Sequence, residues 1–195
     1  MKNRTSTIKR CTKETDISLT LDLDGEGTAS VSTGIGFLDH MLTTLARHGG
    51  LDLTLTCKGD LEVDDHHTAE DCAIVLGTAL DEALGERRGI RRFGDAHAPL
   101  DEALARAVVD LSGRPTADIN LHLQGERVGA LACENITHVM VSLAMASKST
   151  VHVDVLKGTN DHHRAEAAFK ALALALKQAI SPSGNNIIPS TKGVL

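Results

Sequence analysis

The sequence predicts an α/β fold of the α+β type, built as an internal duplication of two β-β-β-α-β-α halves, each a four-stranded sheet with two helices. Three observations lead there. The hexapeptide DHHTAE at 65–70 returns as DHHRAE at 161–166. Each copy follows a run ending in Lys-Gly, LDLTLTCKG at 51–59 and VHVDVLKG at 151–158, whose alternation of apolar and polar residues is the period of a half-buried strand. Each run in turn follows a helical stretch with an internal histidine, GFLDHMLTTLARHG at 36–49 and ENITHVMVSLAMAS at 134–147.

Taken in order, residues 5–12, 16–23 and 27–32 are strand candidates, with a turn at Asp24-Gly25. Leu38, Met41, Leu42 and Leu45 give the next segment its helical spacing. After the strand at 51–59, the first DHH box opens a long helix along Ala69, Ala73, Leu76, Leu80 and Leu84 that ends near Gly85. The second half begins with strand candidates at 94–99, 103–111 and 115–123, broken by Gly113 and Pro115. DEALARAVVDL reads equally as a helix, and the repeat decides for a strand. Val139, Ser142, Leu143 and Ala146 mark the following helix more weakly. Ala165, Phe169, Leu172, Leu176 and Ala179 carry the last one, which stops before Ser181-Pro182. The seam falls near Gly85–Arg92 with no Pro/Gly/Ser linker. One domain over 1–195 is expected, with repeat 1 at about 1–88 and repeat 2 at about 89–195.

Of 195 residues, 42% are hydrophobic and 24% charged, the balance of an ordinary globular protein. With no Trp or Tyr and three Phe, the core must be aliphatic. The longest apolar run, Ala171–Leu176, is far too short to span a membrane. The N-terminus MKNRTSTIKR has no apolar signal region, so a cytoplasmic location is expected. A net charge of −6 argues against a general nucleic-acid binder. Cys11, Cys57, Cys72 and Cys133 form no CxxC pair, which removes zinc ribbons and redox dithiols and leaves buried free thiols as the expectation.

The repeated box has the spacing of a metal site. His66 and Glu70 stand four apart, as do His162 and Glu166, and residues i and i+4 on one helical face can chelate one ion. His67 and His163 point about 100° away and serve something else. A rival pair, His67 with Asp71, has no second copy, because Ala167 replaces the acid. Two chelating pairs, two odd histidines and the helix histidines His40 and His138 divide into two sites of three His and one Glu. One is His40, His67, His162 and Glu166; its mate is His138, His163, His66 and Glu70. Each draws on both repeats, whether of one subunit or of two. Such nitrogen-rich ligation suits Mn, Fe, Co or Zn, not Mg or Ca. A single HH pair beside Asp64 and Asp65 would read as helix-start decoration; two copies with the same downstream Glu and upstream His favour metal. His97, His122 and His152 lack such partners and read as structural, and His48 stands two turns past His40.

Basic groups fall at the turns: Arg91 and Arg92 in GERRGIRRFG, Arg114 in SGRP, and Ser190, Thr191 and Lys192 in PSTKG. Hydroxyls beside Lys and Gly, with Arg for bidentate contacts, suit a small phosphate-bearing substrate.

At GFLDHML, DDHHTAED, RRGIRRFG, DLSGRP, NDHHRAEAAFKA and PSTKG, the chain resembles the imidazoleglycerol-phosphate dehydratases of histidine biosynthesis, from the KETDI segment to the C-terminus. It looks like the stand-alone bacterial form, with neither a fused phosphatase nor a transit peptide. The resemblance implies a hydro-lyase with two manganese ions per subunit that converts imidazole-glycerol phosphate to imidazole-acetol phosphate. Metal on the ring nitrogen lowers its pKa, and the resulting imidazolate can expel the side-chain hydroxyl. By the same resemblance the eight ligands are those above, and Glu14, His40, His67 and Glu166 are catalytic. Glu14, His40, His48, His66, Glu70, Arg92, Arg114, Lys170, Ser190 and Lys192 contact substrate. A homo-oligomeric shell of twenty-four subunits, with sites at subunit contacts, is implied as well. Glu14, in TKETD, lies outside both boxes and has no evident partner in the duplication.

Overall fold

A computed structural model describes residues 4–195. Strands β1 (Thr5–Cys11), β2 (Thr15–Asp22) and β3 (Ala29–Ser32) lead to helix α1 (Gly36–Gly49), strand β4 (Asp52–Gly59) and helix α2 (His66–Leu84). The pattern repeats as β5 (Phe93–Leu100), β6 (Ala103–Asp110), β7 (Thr116–Asn120), then α3 (Cys133–Ala146), β10 (Thr150–Lys157) and α4 (Asp161–Ile180). The sheets have orders β1-β2-β4-β3 and β5-β6-β10-β7. In each, the third strand of its half runs parallel to the fourth and the other pairings are antiparallel. The duplication is therefore structural as well as verbal.

Each sheet buries one face. Ile17, Leu19 and Leu21 of β2 point inward, while Asp16, Ser18 and Thr20 alternate outward. Helices α1 and α2 cover the first sheet, α3 and α4 the second, and the two layers meet as α1 on α4 and α2 on α3. With almost no aromatics, closeness comes from small residues. A Cβ on Gly94 of β5 would lie 2.0 Å from the Ala175 carbonyl of α4, and one on Gly77 of α2 would lie 2.7 Å from the Leu143 carbonyl of α3. These approaches explain the run of buried alanines along α4.

The ambiguous segment is indeed strand β6: Ala103, Ala105, Ala107 and Val109 alternate inward, a period of two that a helix cannot use. One element escaped the sequence pattern, the hairpin of β8 (Arg127–Val128) and β9 (Leu131–Ala132). Its two-residue strands are too short to show any period. It delivers Ala132, whose N–H donates to Asp65 at 2.6 Å, and so ties the start of α3 to the first DHH box. The cysteine expectation needs correction: Cys72 and Cys133 are buried, but Cys57 is only half-buried and Cys11, on edge strand β1, is exposed. Among the described residues, no helix is long and apolar enough to cross a membrane.

Candidate metal centre

Both DHH boxes open their helices, and in each the residue just before the box accepts from backbone N–H groups within it. The Asn160 side chain accepts from the backbone N–H groups of His162 and His163, and Asp64 accepts from that of His66. Helical rise then places His162 above Glu166, Nε2 to Oε2 3.2 Å. Because α1 packs on α4, His40 reaches the same oxygen at 3.1 Å. Because α2 packs on α3, His138 lies 3.0 Å from Glu70, with His66 3.7 Å from its other oxygen. Each trio keeps its ligand atoms within 4.8 Å of one another. Two imidazoles and a carboxylate converging at that span suit a borderline divalent cation, and both halves of the chain contribute to each centre.

The surroundings prepare the donors. His66 Nδ1–H donates to Asn135 at 2.9 Å, leaving Nε2 its lone pair; Asn135 in turn donates to Asp65. No sequence signal marked Asn135, because its role arises from the α2–α3 crossing. At the other centre Phe37 packs 5.0 Å from the His162 ring. Burial works to raise the Glu166 pKa, but hydrogen bonds from Lys170 and His40 outweigh it and bring the carboxyl to about 2. Lys170 Nζ stands 2.8 Å from Glu166 Oε1. His48 lies alongside: burial first, then Lys170, push its pKa down.

His67 and His163 join neither trio of their own chain, because adjacent residues on a helix diverge by about 100°. His67 Nδ1–H donates to Asp60 at 3.0 Å, and its Nε2 lies 3.8 Å from Glu14. His163 Nδ1–H donates to Glu102 at 2.7 Å, with Nε2 3.8 Å from Asp101. These bonds raise both imidazole pKa values, with Asp60 the main cause for His67 and Glu102 for His163. The view that Glu14 has no counterpart is corrected here: Glu14 immediately precedes β2, and Glu102 immediately precedes β6. The connections, Thr12–Glu14 and Asp101–Glu102, differ in length and composition, which hid the correspondence. Asp71 is buried beside Thr15, pairs with the part-exposed Arg10 and faces away from both trios.

The cations gather elsewhere. Arg92 donates to both carboxylate oxygens of Asp110 at 2.7 and 3.1 Å and to the Pro189 carbonyl at 2.8 Å. Arg114 follows Gly113, where an added Cβ would lie 2.9 Å from the Leu195 carbonyl carbon. Ser190 Oγ accepts from the Lys192 N–H at 3.2 Å. Arg92, Arg114 and the C-terminal segment thus meet at one end of the molecule. The Arg92 N–H donates to Ala179, thirteen residues along α4 from Glu166, which at 1.5 Å per residue is about 20 Å away. Lys170, one turn from Glu166, stays with the metal trio instead.

A family model described as imidazoleglycerol-phosphate dehydratase matches residues 33–176. Relatives carrying that name include one from Candida glabrata, 55% identical over 96% of this chain and 98% of its own length. A Saccharomyces cerevisiae relative is 52% identical over the whole of both chains. A Phytophthora nicotianae relative is 60% identical, and this chain spans 42% of it. Among solved structures, the imidazoleglycerol-phosphate dehydratase of Staphylococcus aureus superimposes with a TM-score of 0.83 at 35% identity, covering 91% of this chain and 99% of that one. The Pyrococcus furiosus enzyme, solved in complex with (S)-C348, gives 0.83 at 38% identity over 96% and 100%. The chain belongs to the imidazoleglycerol-phosphate dehydratase family, and it is a hydro-lyase of that family.

Proposed function

We propose that this chain dehydrates imidazole-glycerol phosphate to imidazole-acetol phosphate in histidine biosynthesis, as a cytoplasmic, manganese-dependent homo-oligomer of twenty-four subunits with two ions per subunit. The observation that carries the reading is the pair of three-donor trios, each short of one histidine, beside two odd histidines oriented by carboxylates. A second copy that supplies His67 to His40, His162 and Glu166, and His163 to His138, His66 and Glu70, completes both fourfold sets. The separation of about 20 Å between the cation group and Glu166 points the same way, since a glycerol phosphate cannot bridge it within one chain.

Manganese bound there would hold the substrate imidazole and acidify it. Arg92, Arg114, Ser190 and Lys192 bind the phosphate; Lys170 adds a positive charge beside Glu166. His48, kept neutral by burial and by Lys170, packs against the substrate without adding charge. Glu14 takes the proton from the carbon next to the ring-bearing one and passes it to the hydroxyl of the ring-bearing carbon, which departs as water. The enol that remains tautomerises to the ketone. A phosphate-ester hydrolase with the same ligands would instead release inorganic phosphate.

Ultraviolet detection of the ketone with and without Mn²⁺, alongside a phosphate-release assay, separates the two. In Glu14→Gln, both metals, the assembly and substrate binding should persist while kcat falls at least roughly a hundredfold. Near-normal kcat would remove Glu14 from the chemistry, and lost metal would make it structural.

A further inference from the structure

The two halves hold their odd histidines in different ways, and the difference concerns Glu14. In the second half, Glu102 holds the Nδ1 side of His163, while the exposed Asp101 lies 3.8 Å from its Nε2. Glu102 Oε2 accepts from His163 Nδ1–H at 2.7 Å. Its Oε1 accepts from the Thr159 N–H at 3.0 Å, the Thr159 hydroxyl at 3.3 Å and the Asn160 N–H at 2.9 Å. Oε1 is thus saturated, and Oε2 is committed to His163.

In the first half the corresponding carboxylate is Glu14, which precedes β2 as Glu102 precedes β6. Among the described residues its carboxylate makes no hydrogen bond, and its one ion-pair contact is His67 Nε2 at 3.8 Å, beyond hydrogen-bond range. The orienting bond to His67 Nδ1 comes from Asp60 instead. Asp60 follows Lys58-Gly59 at the end of β4; the same place after Lys157-Gly158 in the second half is Thr159. Backbone pairing keeps the two loops together, since the Asp60 N–H donates to the Glu14 carbonyl at 3.1 Å. Asp60 Oδ1 is buried without a partner.

We propose that Asp60 is a positioning residue that takes over the holding of His67, and that this substitution of one carboxylate for another frees Glu14 for proton transfer. It rests on the reading of Glu14 and His67 given above. The chemistry then belongs to the centre completed by His67, and the centre completed by His163 has its matching carboxylate engaged.

The test is to install the second half's residue in the first. In Asp60→Thr, Glu14 should be drawn onto His67 as Glu102 is drawn onto His163. Two manganese ions per chain are then retained and KM stays within about threefold, while kcat falls by roughly ten- to a hundredfold. Asp60→Asn keeps an acceptor oxygen at His67 Nδ1–H and should recover most of kcat. A metal count after chelator challenge supplies a readout independent of turnover. Asp60→Thr and Glu14→Ala should each keep both ions, because the other carboxylate still serves His67, whereas the double variant Asp60→Thr/Glu14→Ala should fall to one per chain. Normal kcat in Asp60→Thr, loss of an ion from that single variant, or two ions in the double variant would each overturn the proposal. A wild-type protein inert toward imidazole-glycerol phosphate would refute the dehydratase reading instead, and the metal counts would still decide the handover.

Discussion

Glu70 and Asp71 are neighbours on α2, and exchanging each in turn should separate metal binding from stability. The Asp71 carboxylate is 6% exposed; it accepts from the Thr15 hydroxyl at 2.5 Å and pairs with the guanidinium of Arg10. Asp71→Ala strands that buried hydroxyl, a loss of about 1–3 kcal/mol. The Arg10 side chain is 37% exposed, so water recovers part of its charge and the total stays near 2 kcal/mol. At about 2–4 °C per kcal/mol for a chain of this size, Tm should drop by roughly 4–8 °C. Glu70 is a third exposed and among the described residues its carboxylate contacts only the histidines of its trio, so Glu70→Gln should change the melting of metal-stripped protein by less than about 0.5 kcal/mol. The assay is a thermal melt in chelator at fixed protein concentration, paired with a metal count on the loaded protein. Asp71→Ala should melt early with both ions bound; Glu70→Gln should melt normally with one ion missing. Equal metal loss in the two variants would refute the assignment of faces on α2, and an unchanged Tm for Asp71→Ala would refute the buried-pair account.

Prolonged chelation at neutral pH should convert large particles to smaller ones, because ions shared between copies stabilise the assembled state by mass action; sedimentation of an intact, metal-free shell would count against shared centres. In the metal-free chain, the Glu166 carboxyl is depressed to about 2 from 4.5, against the opposing effect of burial. Its contribution is therefore complete above about pH 4.5 and lost as pH falls toward 2, so the Tm gap between wild type and Glu166→Gln should close over that interval, and a constant gap would show that the ion pair with Lys170 contributes nothing.

What could be read from the chain alone follows from which forces act locally. The HHxxE spacing fixes a chelating face through helix geometry, so the pairs His66/Glu70 and His162/Glu166 were visible before any fold was known. Ala103–Asp110 was visible as a strand only through its mate, because alanine-rich DEALARAVVD satisfies helical propensity and the period of two equally. Asn135 and Asp60 were invisible for a different reason. Each gains its role from a contact between elements distant in sequence, α2 with α3 or the β4 end with the α2 start, and neither residue type is distinctive where it stands. The sequence points to Arg92 as a phosphate contact but not to its pairing with Asp110, which arises because the start of β5 lies beside the end of β6.

The duplication also shows where the two centres part. Lys170 lies four residues beyond Glu166, and the place four beyond Glu70 is Ile74; His48 lies eight beyond His40, and the place eight beyond His138 is Ala146. Glu14 opposite Glu102 is a third such difference, since Glu102 is bonded to His163 and Glu14 makes no side-chain hydrogen bond among the described residues. The ligands themselves do not differ. On the shared-site reading the reason is geometric: each fourfold set takes its chelating pair from one box and its odd histidine from the other. A change in either box therefore touches both centres, while a change at position 74, 146 or 159 touches one. Specialisation of one centre could proceed through the residues around the metal without disturbing the histidines and glutamates that hold it.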